Sequence, residues 1–558
     1  MTASRKTPSR KQAALQRQHR ESDLQSRVET LEGQLSTVLE KVERLERSGG
    51  QAGQPLISTP SKAVAEACSE DSGVVDQVRD LPTTEFPPLQ EVMLIIEHYL
   101  ATFNTVFPLF HPSTLLQTVK SWYQSPHSRS PVTWALINVV LALAHHTSNP
   151  GGRIPAGNTA TYLHNAQSVL TEVTMRDIDL VNVQVLLGLV MLFWTADDMG
   201  PALMLISTAL RLAHQCRLHT RRGSEHLSPS LTRQRDRVFW MAYILDRDIS
   251  LDCRLPPVQV DSDTDLDLPP SEADGDLAGF IFTPDVGIKM NYFRARVELA
   301  QIQGKVYDCI YSVSAQNSNL EERAQNVARI THMLDHWSSR ILPEFRVTTL
   351  TQSGFPELSR YFCTLYSIRL SCRAQISFAS ASDSFHYSGW IERLKVFGGE
   401  VAAGQVVSTA PVPQGWQELT QAAREYMLLF QTVTPLNTFF IRMNLCAYNS
   451  SLIALIANRI FDAHHTPVEA DRQITKAAME NLEDIAKLTG SDKLRKYREA
   501  ARQLCLYADL IPARPPTFER MTSGLGFWVA EPRDRFEDQF LDDTQMPGAN
   551  LYWSPASD

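Results

Sequence analysis

No two of the eight cysteines in this 558-residue chain stand close enough to form a CxxC pair; they are Cys68, Cys216, Cys253, Cys309, Cys363, Cys372, Cys446 and Cys505. That spacing excludes zinc fingers, zinc ribbons and thioredoxin-like dithiol chemistry. Cysteines scattered singly through a long chain suit a reducing compartment, where most serve as small core residues. Long apolar runs are scarce too. The most apolar stretches, Trp134–Ala144 and Val185–Ala196, fall well short of the roughly 20 residues of a membrane helix. The first residues hold no hydrophobic signal core. The expectation is a soluble intracellular protein with no membrane partner. Gly524 and Gly526 form no phosphate-binding fingerprint, and neither GxxxxGK[ST] nor Gly-x-Ser-x-Gly occurs. Without a nucleophile motif, a nucleotide loop or paired metal ligands, neither an enzyme nor a cofactor is expected.

What the chain does carry begins near its start. Leu24, Val28, Leu31, Leu35, Val38, Val42 and Leu45 form an unbroken ladder of 4-3-4-3-4-3 spacing. It reads as heptads, with Leu24, Leu31, Val38 and Leu45 at d and Val28, Leu35 and Val42 at a. In a parallel pair of such helices Arg27 faces Glu32 and Lys41 faces Glu46, while Gln34 and Leu39 make a neutral pair. Gly33 falls on the outward face, where it costs about 1 kcal/mol of helix propensity without breaking the seam. A homodimer, or pairing with a related zipper, is the expected assembly. The same stripe also fits a single amphipathic helix docked on its own globular domain. Ahead of the ladder, residues 1–20 hold Arg5, Lys6, Arg10, Lys11, Arg17 and Arg20 and no acid, although the whole chain has a net charge of -9. This basic arm is the candidate DNA contact.

The rest divides by composition. A basic arm (1–23) and a coiled coil (24–47) precede a flexible linker (48–88) rich in Ser, Gly, Pro and acid. Helical periodicity then fills 89–510, in Glu91–Phe103, Pro131–His145, Thr159–Met175, Leu180–Thr195, Pro201–Cys216 and Thr232–Leu251. It resumes in Asp285–Val313, Asn319–Ile341, Phe355–Phe378, Trp416–Thr432, Thr438–Phe461, Pro467–Leu488 and Ser491–Leu510. No sheet is indicated, and the helices show no fixed repeat. The predicted fold class is all-α, with a large irregular helical domain and a disordered acidic tail over 511–558. From Phe536 to Asp558 that tail has five acids and no base, interleaved with Phe540, Leu541, Leu551, Tyr552 and Trp553. This is the composition of a segment that recruits transcription machinery, or of a strap packed on the helical body.

Two polar clusters invite a metal and do not support one. His214, Cys216 and His219 are close in sequence, yet on a continuous helix 214 and 216 point to nearly opposite faces. Asp261, Asp263, Asp265 and Asp267 alternate like a calcium loop, but the sixth and twelfth positions are Leu266 and Glu272, where Gly and Glu would be needed at once. They read as a solvated loop. The adjacent pairs His145–His146 and His464–His465 read as capping groups at helix ends.

The stretch Ala209–Pro269 is the most informative. Phe239, Tyr243, Leu245 and Leu251 alternate there with Trp240, Ile244 and charged residues, so the helix is buried on more than one side. Arg237, Asp246 and Arg247 within it must then be paired. Its Ala209, Leu212, Ala213, Leu218 and His219, then Arg237, Phe239, Trp240, Leu245, Asp246, Arg247 and Ser250, then Arg254, Pro256, Asp263, Asp265, Leu268 and Pro269, follow an ordered pattern. Together with Phe107-Pro108-Leu109-Phe110-His111-Pro112, it resembles the middle homology region of fungal-specific transcription factors, over about residues 90–350. Arg237, Trp240, Asp246, Arg247, Pro256 and Pro269 are the family-motif residues. The family's Gly-Arg-Pro turn is here Cys253-Arg254-Leu255-Pro256. The resemblance implies a nuclear regulator governing a metabolic gene set, with secondary metabolism a candidate.

Members of that family usually begin with a six-cysteine zinc cluster, whereas residues 1–67 here contain no cysteine. Ala13-Ala14, Arg17 and Arg20 hint at the basic helix of a basic-leucine-zipper protein, with Pro8 limiting it upstream. Specific reading in that family uses an asparagine, and the first one here is Asn104. Salt-sensitive phosphate contact, or a nuclear-import role, is what the arm supports. The alternatives are a co-regulator without its own DNA binding and a helical small-molecule-binding protein or enzyme.

Overall fold

The computed structural model describes residues 86–511, apart from 126, 128, 149–157, 197, 274, 286, 381–386, 405–407, 435–436 and 490–491. The zipper ladder Leu24–Leu45, the basic arm and the acidic-aromatic tail lie outside the described residues. Those described are mostly helical. The first half contains α1 (Leu89–Ala101), α2 (Phe103–Val106), α3 (Pro112–Gln124), α4 (Pro131–Thr147), α5 (Thr159–Gln167), α6 (Leu170–Met175), α7 (Leu180–Trp194), α8 (Gly200–Gln215) and α9 (Pro229–Cys253). A hairpin of β1 (Phe280–Phe282) and β2 (Lys289–Asn291) leads into α10 (Tyr292–Val306). After a single π turn come α11 (Val313–Gln316), α12 (Leu320–Ser339), α13 (Val347–Leu350), α14 (Pro356–Ser380), α15 (Tyr387–Ala403), α16 (Trp416–Gln431), α17 (Thr438–Phe461), α18 (Val468–Thr489) and α19 (Asp492–Leu510).

Local chemistry sets many of these boundaries. Proline occupies the first turn of α3, α4 and α9, where its missing N–H costs nothing. Ser130 and Ser228 cap α4 and α9 by accepting from Thr133 N (3.1 Å) and Leu231 N (3.4 Å). The expected helices Glu91–Phe103 and Thr159–Met175 are each broken. The Thr102 hydroxyl donates to the His98 carbonyl and the Ser168 hydroxyl to that of Asn165, both at 2.7 Å, satisfying acceptors where each helix stops. Helices α3 and α15 were not expected; α3 buries only Leu115, Val119 and Trp122, a stripe too short to stand out.

The expected helix from Asp285 is corrected: part of it is the small antiparallel hairpin, with Ile281 opposite Met290. Pro284, Asp285 and Gly287 (φ +68°) turn the chain there. The Asn291 side chain then accepts from Arg294 N at 2.8 Å, so the helix starts at Tyr292. Both histidine pairs sit at helix C-termini as expected, His145 and His146 in the last turn of α4. His465 is on the carbonyl of Asp462, the C-cap of α17, and both pairs make further contacts. His146 bonds Thr195 Oγ1 at 2.8 Å and His145 stacks on Tyr162. His465 links the Asp462 carbonyl to the buried Asp471 carboxylate.

Two hydrophobic cores result. The first is built by α1 to α9, around α4 and α7, whose middles are buried on all sides. The second is built by α10 to α19, around α17. Phe439–Phe461 of α17 is long and apolar enough to cross a membrane, which the reading of apolar runs did not register, yet 61% of its most apolar window is buried against α14, α16, α18 and α19. Helix α10 joins the two cores. Phe293, Val297 and Ala300 face the first, and Tyr292, Ala295, Leu299, Ile302 and Val306 face the second. Both sets repeat at helical spacing, so one helix presents two apolar faces.

Helices α4 and α7 approach closely at Gly188, where an added Cβ would lie 2.3 Å from Val139 Cγ1. Gly188→Val is expected to lower unfolding stability by about 1–3 kcal/mol through overpacking, read as a reduced urea midpoint. An unchanged midpoint would show that the two helices part freely.

Candidate functional site

The family-motif residues lie on α9 and the strap that follows it. From Val238 to Leu251 every residue of α9 is buried, as its mixed apolar pattern indicated. Burial makes its charges the organising feature, because each needs a partner. Arg237 reaches Asp276 at 2.7 Å. Asp246, fully buried, accepts from the backbone N–H groups of Val258 (3.0 Å) and Gln259 (3.1 Å) and from the Arg247 guanidinium (2.7 Å). Burial pushes the Asp246 carboxyl upward, while Arg247 and the two amides pull against it. Arg247 stacks 4.2 Å over the Tyr243 ring and donates to the Gln259 carbonyl (2.8 Å) and to Asp261 (2.6 Å). Gly304 of α10 makes room for it, since a Cβ there would lie 2.9 Å from Arg247 Nε.

The strap 254–270 is thereby laced onto α9. The Trp240 indole donates to the Asp267 carbonyl at 3.0 Å, and Tyr243 and Lys305 both reach Asp261. Arg221 binds the Asp265 carbonyl and the Asp267 carboxylate. The four acids are exposed, as a solvated loop requires, and Asp261, Asp265 and Asp267 in addition hold ion pairs or hydrogen bonds that tie the strap down. Pro269 is buried, and its carbonyl accepts from Arg294 at 2.6 Å; Pro256 is exposed at the turn after α9. At that turn Arg254 takes a left-handed conformation (φ +54°), with its guanidinium over Tyr311. The Phe107–Pro112 motif docks nearby, its Leu109 carbonyl held by Gln184 (2.6 Å) and Gln234 (2.8 Å).

His214 and Cys216 point to opposite faces only on a continuous helix. Helix α8 instead ends at Gln215, and Arg217 at φ +53° reverses the chain, bringing the His219 ring to 4.8 Å from that of His214. His214 is occupied by Gln259 Oε1 at 2.6 Å. Among the described residues no three His, Cys, Asp or Glu side chains are placed to share a metal. Burial pushes the Cys253 thiol up to about 12, far from a nucleophilic thiolate. What α9 and its strap do is hold a conformation. Sequence reasoning passed over Asp248, Asp252, Arg296 and Gln303; the signal available was two further acids, Asp248 and Asp252, within two turns of Asp246.

Residues 96–339 match the family model described as fungal specific transcription factor domain. They are such a domain. Its family consists of transcription factors, not enzymes. The domain runs from α1 to the last residue of α12, and so contains the first core, α9 with its strap, and the joining helix α10. The chain is 34% identical over 311 residues to an ABC-transporter-regulating transcription factor of Aspergillus oryzae, and equally to one of Aspergillus fumigatus. Each alignment covers 55% of this chain and 34% of the relative. A fusaridione A cluster transcription factor of Fusarium heterosporum is 26% identical, over 49% of this chain and 52% of its own length. The chain thus spans about a third to a half of the curated relatives it matches.

Removing the buried anchor should be costly. Asp246→Ala strands the Arg247 charge and two strap amides, with an expected loss of about 3–5 kcal/mol. Asp246→Asn, which keeps an acceptor, should lose less. Equal urea midpoints for both variants and the parent would show that the clamp does not hold the strap.

Proposed function

We propose that this protein is a nuclear regulator of transcription that acts by assembly, with no bond chemistry of its own. The zipper Leu24–Leu45 pairs two chains or pairs this chain with a related partner. The basic arm, with Arg5, Lys6, Arg10, Lys11, Arg17 and Arg20, contacts DNA or a DNA-bound partner. The helical body governs activity, and the acidic-aromatic tail engages transcription machinery. The observation that carries this reading is the transcription-factor domain over residues 96–339. The names of the relatives support a gene set for transport or secondary metabolism. Activation is the sign that the tail's composition favours.

A second reading is favoured by residues 1–67, which contain no cysteine for a zinc cluster. In it the protein is a co-regulator that reaches promoters only through a DNA-binding partner.

One set of measurements separates the two. The full chain should sediment as a dimer and bind duplex DNA with an affinity that falls steeply as salt rises. Deleting residues 1–20 should flatten that dependence by several units of log–log slope, because each lost phosphate contact removes about 0.9. A dimer with no DNA affinity at low salt establishes the co-regulator reading. A monomer with Leu24–Leu45 intact overturns zipper pairing.

A further inference from the structure

Helices α18 and α19 enclose an open cleft of about 390 Å³, lined by Glu483, Ala486, Lys487, Arg495 and Arg498. Glu483 holds Lys487 at 3.2 Å and Arg498 at 3.1 Å, so three lining cations face one lining carboxylate. Asp484 lies 3.6 Å from Lys487 and leaves the cleft still in positive excess. The feature continues along α19. At about 100° per residue, Arg495, Arg498, Arg502, Leu506 and Leu510 fall within about 120° of one another around that helix. Leu506 and Leu510 are 50% and 54% exposed, and the exposed Arg502 has Glu499 as its ion-pair partner at 2.7 Å. A basic cleft therefore opens onto a stripe that turns apolar toward the end of the helix.

We propose that the cleft and this stripe form the docking surface for the chain's own acidic-aromatic segment Phe536–Trp553. That segment carries Glu537, Asp538, Asp542 and Asp543 and no base, the charge opposite to that of the cleft. Its Phe540 and Leu541 supply apolar surface for Leu506 and Leu510, which only an apolar partner covers with a gain. The tether fits too. Arg498 lies thirteen residues before Ile511, about 20 Å along the helix. Phe536 follows Ile511 by 25 residues, which span up to about 80 Å, so the segment folds back to the cleft with slack. On the same chain it acts at an effective concentration on the order of a millimolar, enough to populate a contact of surface charges and a few apolar groups. A DNA backbone would match the cations and leave both leucines uncovered. The inference rests on the tail's composition and tether, not on its recruitment of transcription machinery.

The test uses the full chain without DNA, so its failure leaves the regulatory reading untouched. Carbodiimide cross-linking, which joins a lysine amine to a carboxylate in contact with it, reads the docked state. A link between Lys487 and the 536–553 segment is expected, severalfold above any link from that segment to Lys120, an exposed lysine on α3. Its yield should fall as salt rises. Arg495→Glu, Arg498→Glu and Arg502→Glu together should lower it by about fivefold or more, since each exposed pair is weak and three are reversed. Should that variant fail to fold, Phe540→Ser with Leu541→Ser, which leaves the helical body unchanged, must lower the yield severalfold. No link to Lys487, equal links to Lys487 and Lys120, or a full yield in a folded variant overturns the proposal. Mixing isotope-labelled with unlabelled chains identifies the occupant: a link joining one of each puts another copy's tail on α19 and overturns docking within the chain.

Discussion

Three consecutive charges in the stretch Val238–Leu251 of α9, which has no exposed face, are the constraint around which this domain is arranged: Asp246, Arg247 and Asp248. A buried ion is tolerable only when its partners are in place. Because successive helical residues point about 100° apart, these three cannot be satisfied by one neighbour. Asp246 faces backbone amides of the strap, Arg247 faces the strap carbonyl of Gln259 and the Asp261 carboxylate, and Asp248 faces Arg296 on α10. One helix thus dictates where both the strap and the joining helix must lie.

That arrangement explains how two cores are made into one body. Helix α10 lends a separate apolar face to each core, and its polar side chains Arg296 and Gln303 close the ionic network between the faces. Contacts further out repeat the connection. The Asn437 amide donates to the Thr147 carbonyl at 2.9 Å, and Phe439 packs edge-on against Phe103 and His146. The family domain includes the first core and the joining helix, so its ordered motif is the part of the sequence that builds the seam. A body held to one defined shape by buried ion pairs suits the assembly role proposed above.

How far the sequence could be read depended on the range of the interaction involved. Long helices with strong periodicity, such as Trp416–Gln431, were legible because spacing alone reports a buried face. The need to pair Arg237, Asp246 and Arg247 was legible from the cost of burying them, although which groups would answer was not. The hairpin at Phe280–Asn291 was missed because three-residue strands carry too little alternation to register. His214 and His219 were judged on a helix that Arg217 in fact ends. The acids after α9 are solvated as read, but their partners Arg221, Tyr243 and Arg247 lie far away in sequence and were not legible.

The amino-acid order alone determined the helical class, the burial of α9 and the family motif, since each follows from local spacing and the cost of leaving apolar surface or charge unmatched. Only the tertiary structure decided which carboxylate meets which guanidinium, such as Asp248 on Arg296 and Asp276 on Arg237. Those outcomes depend on distances between segments far apart along the chain, and such distances exist only once both cores have closed on α10.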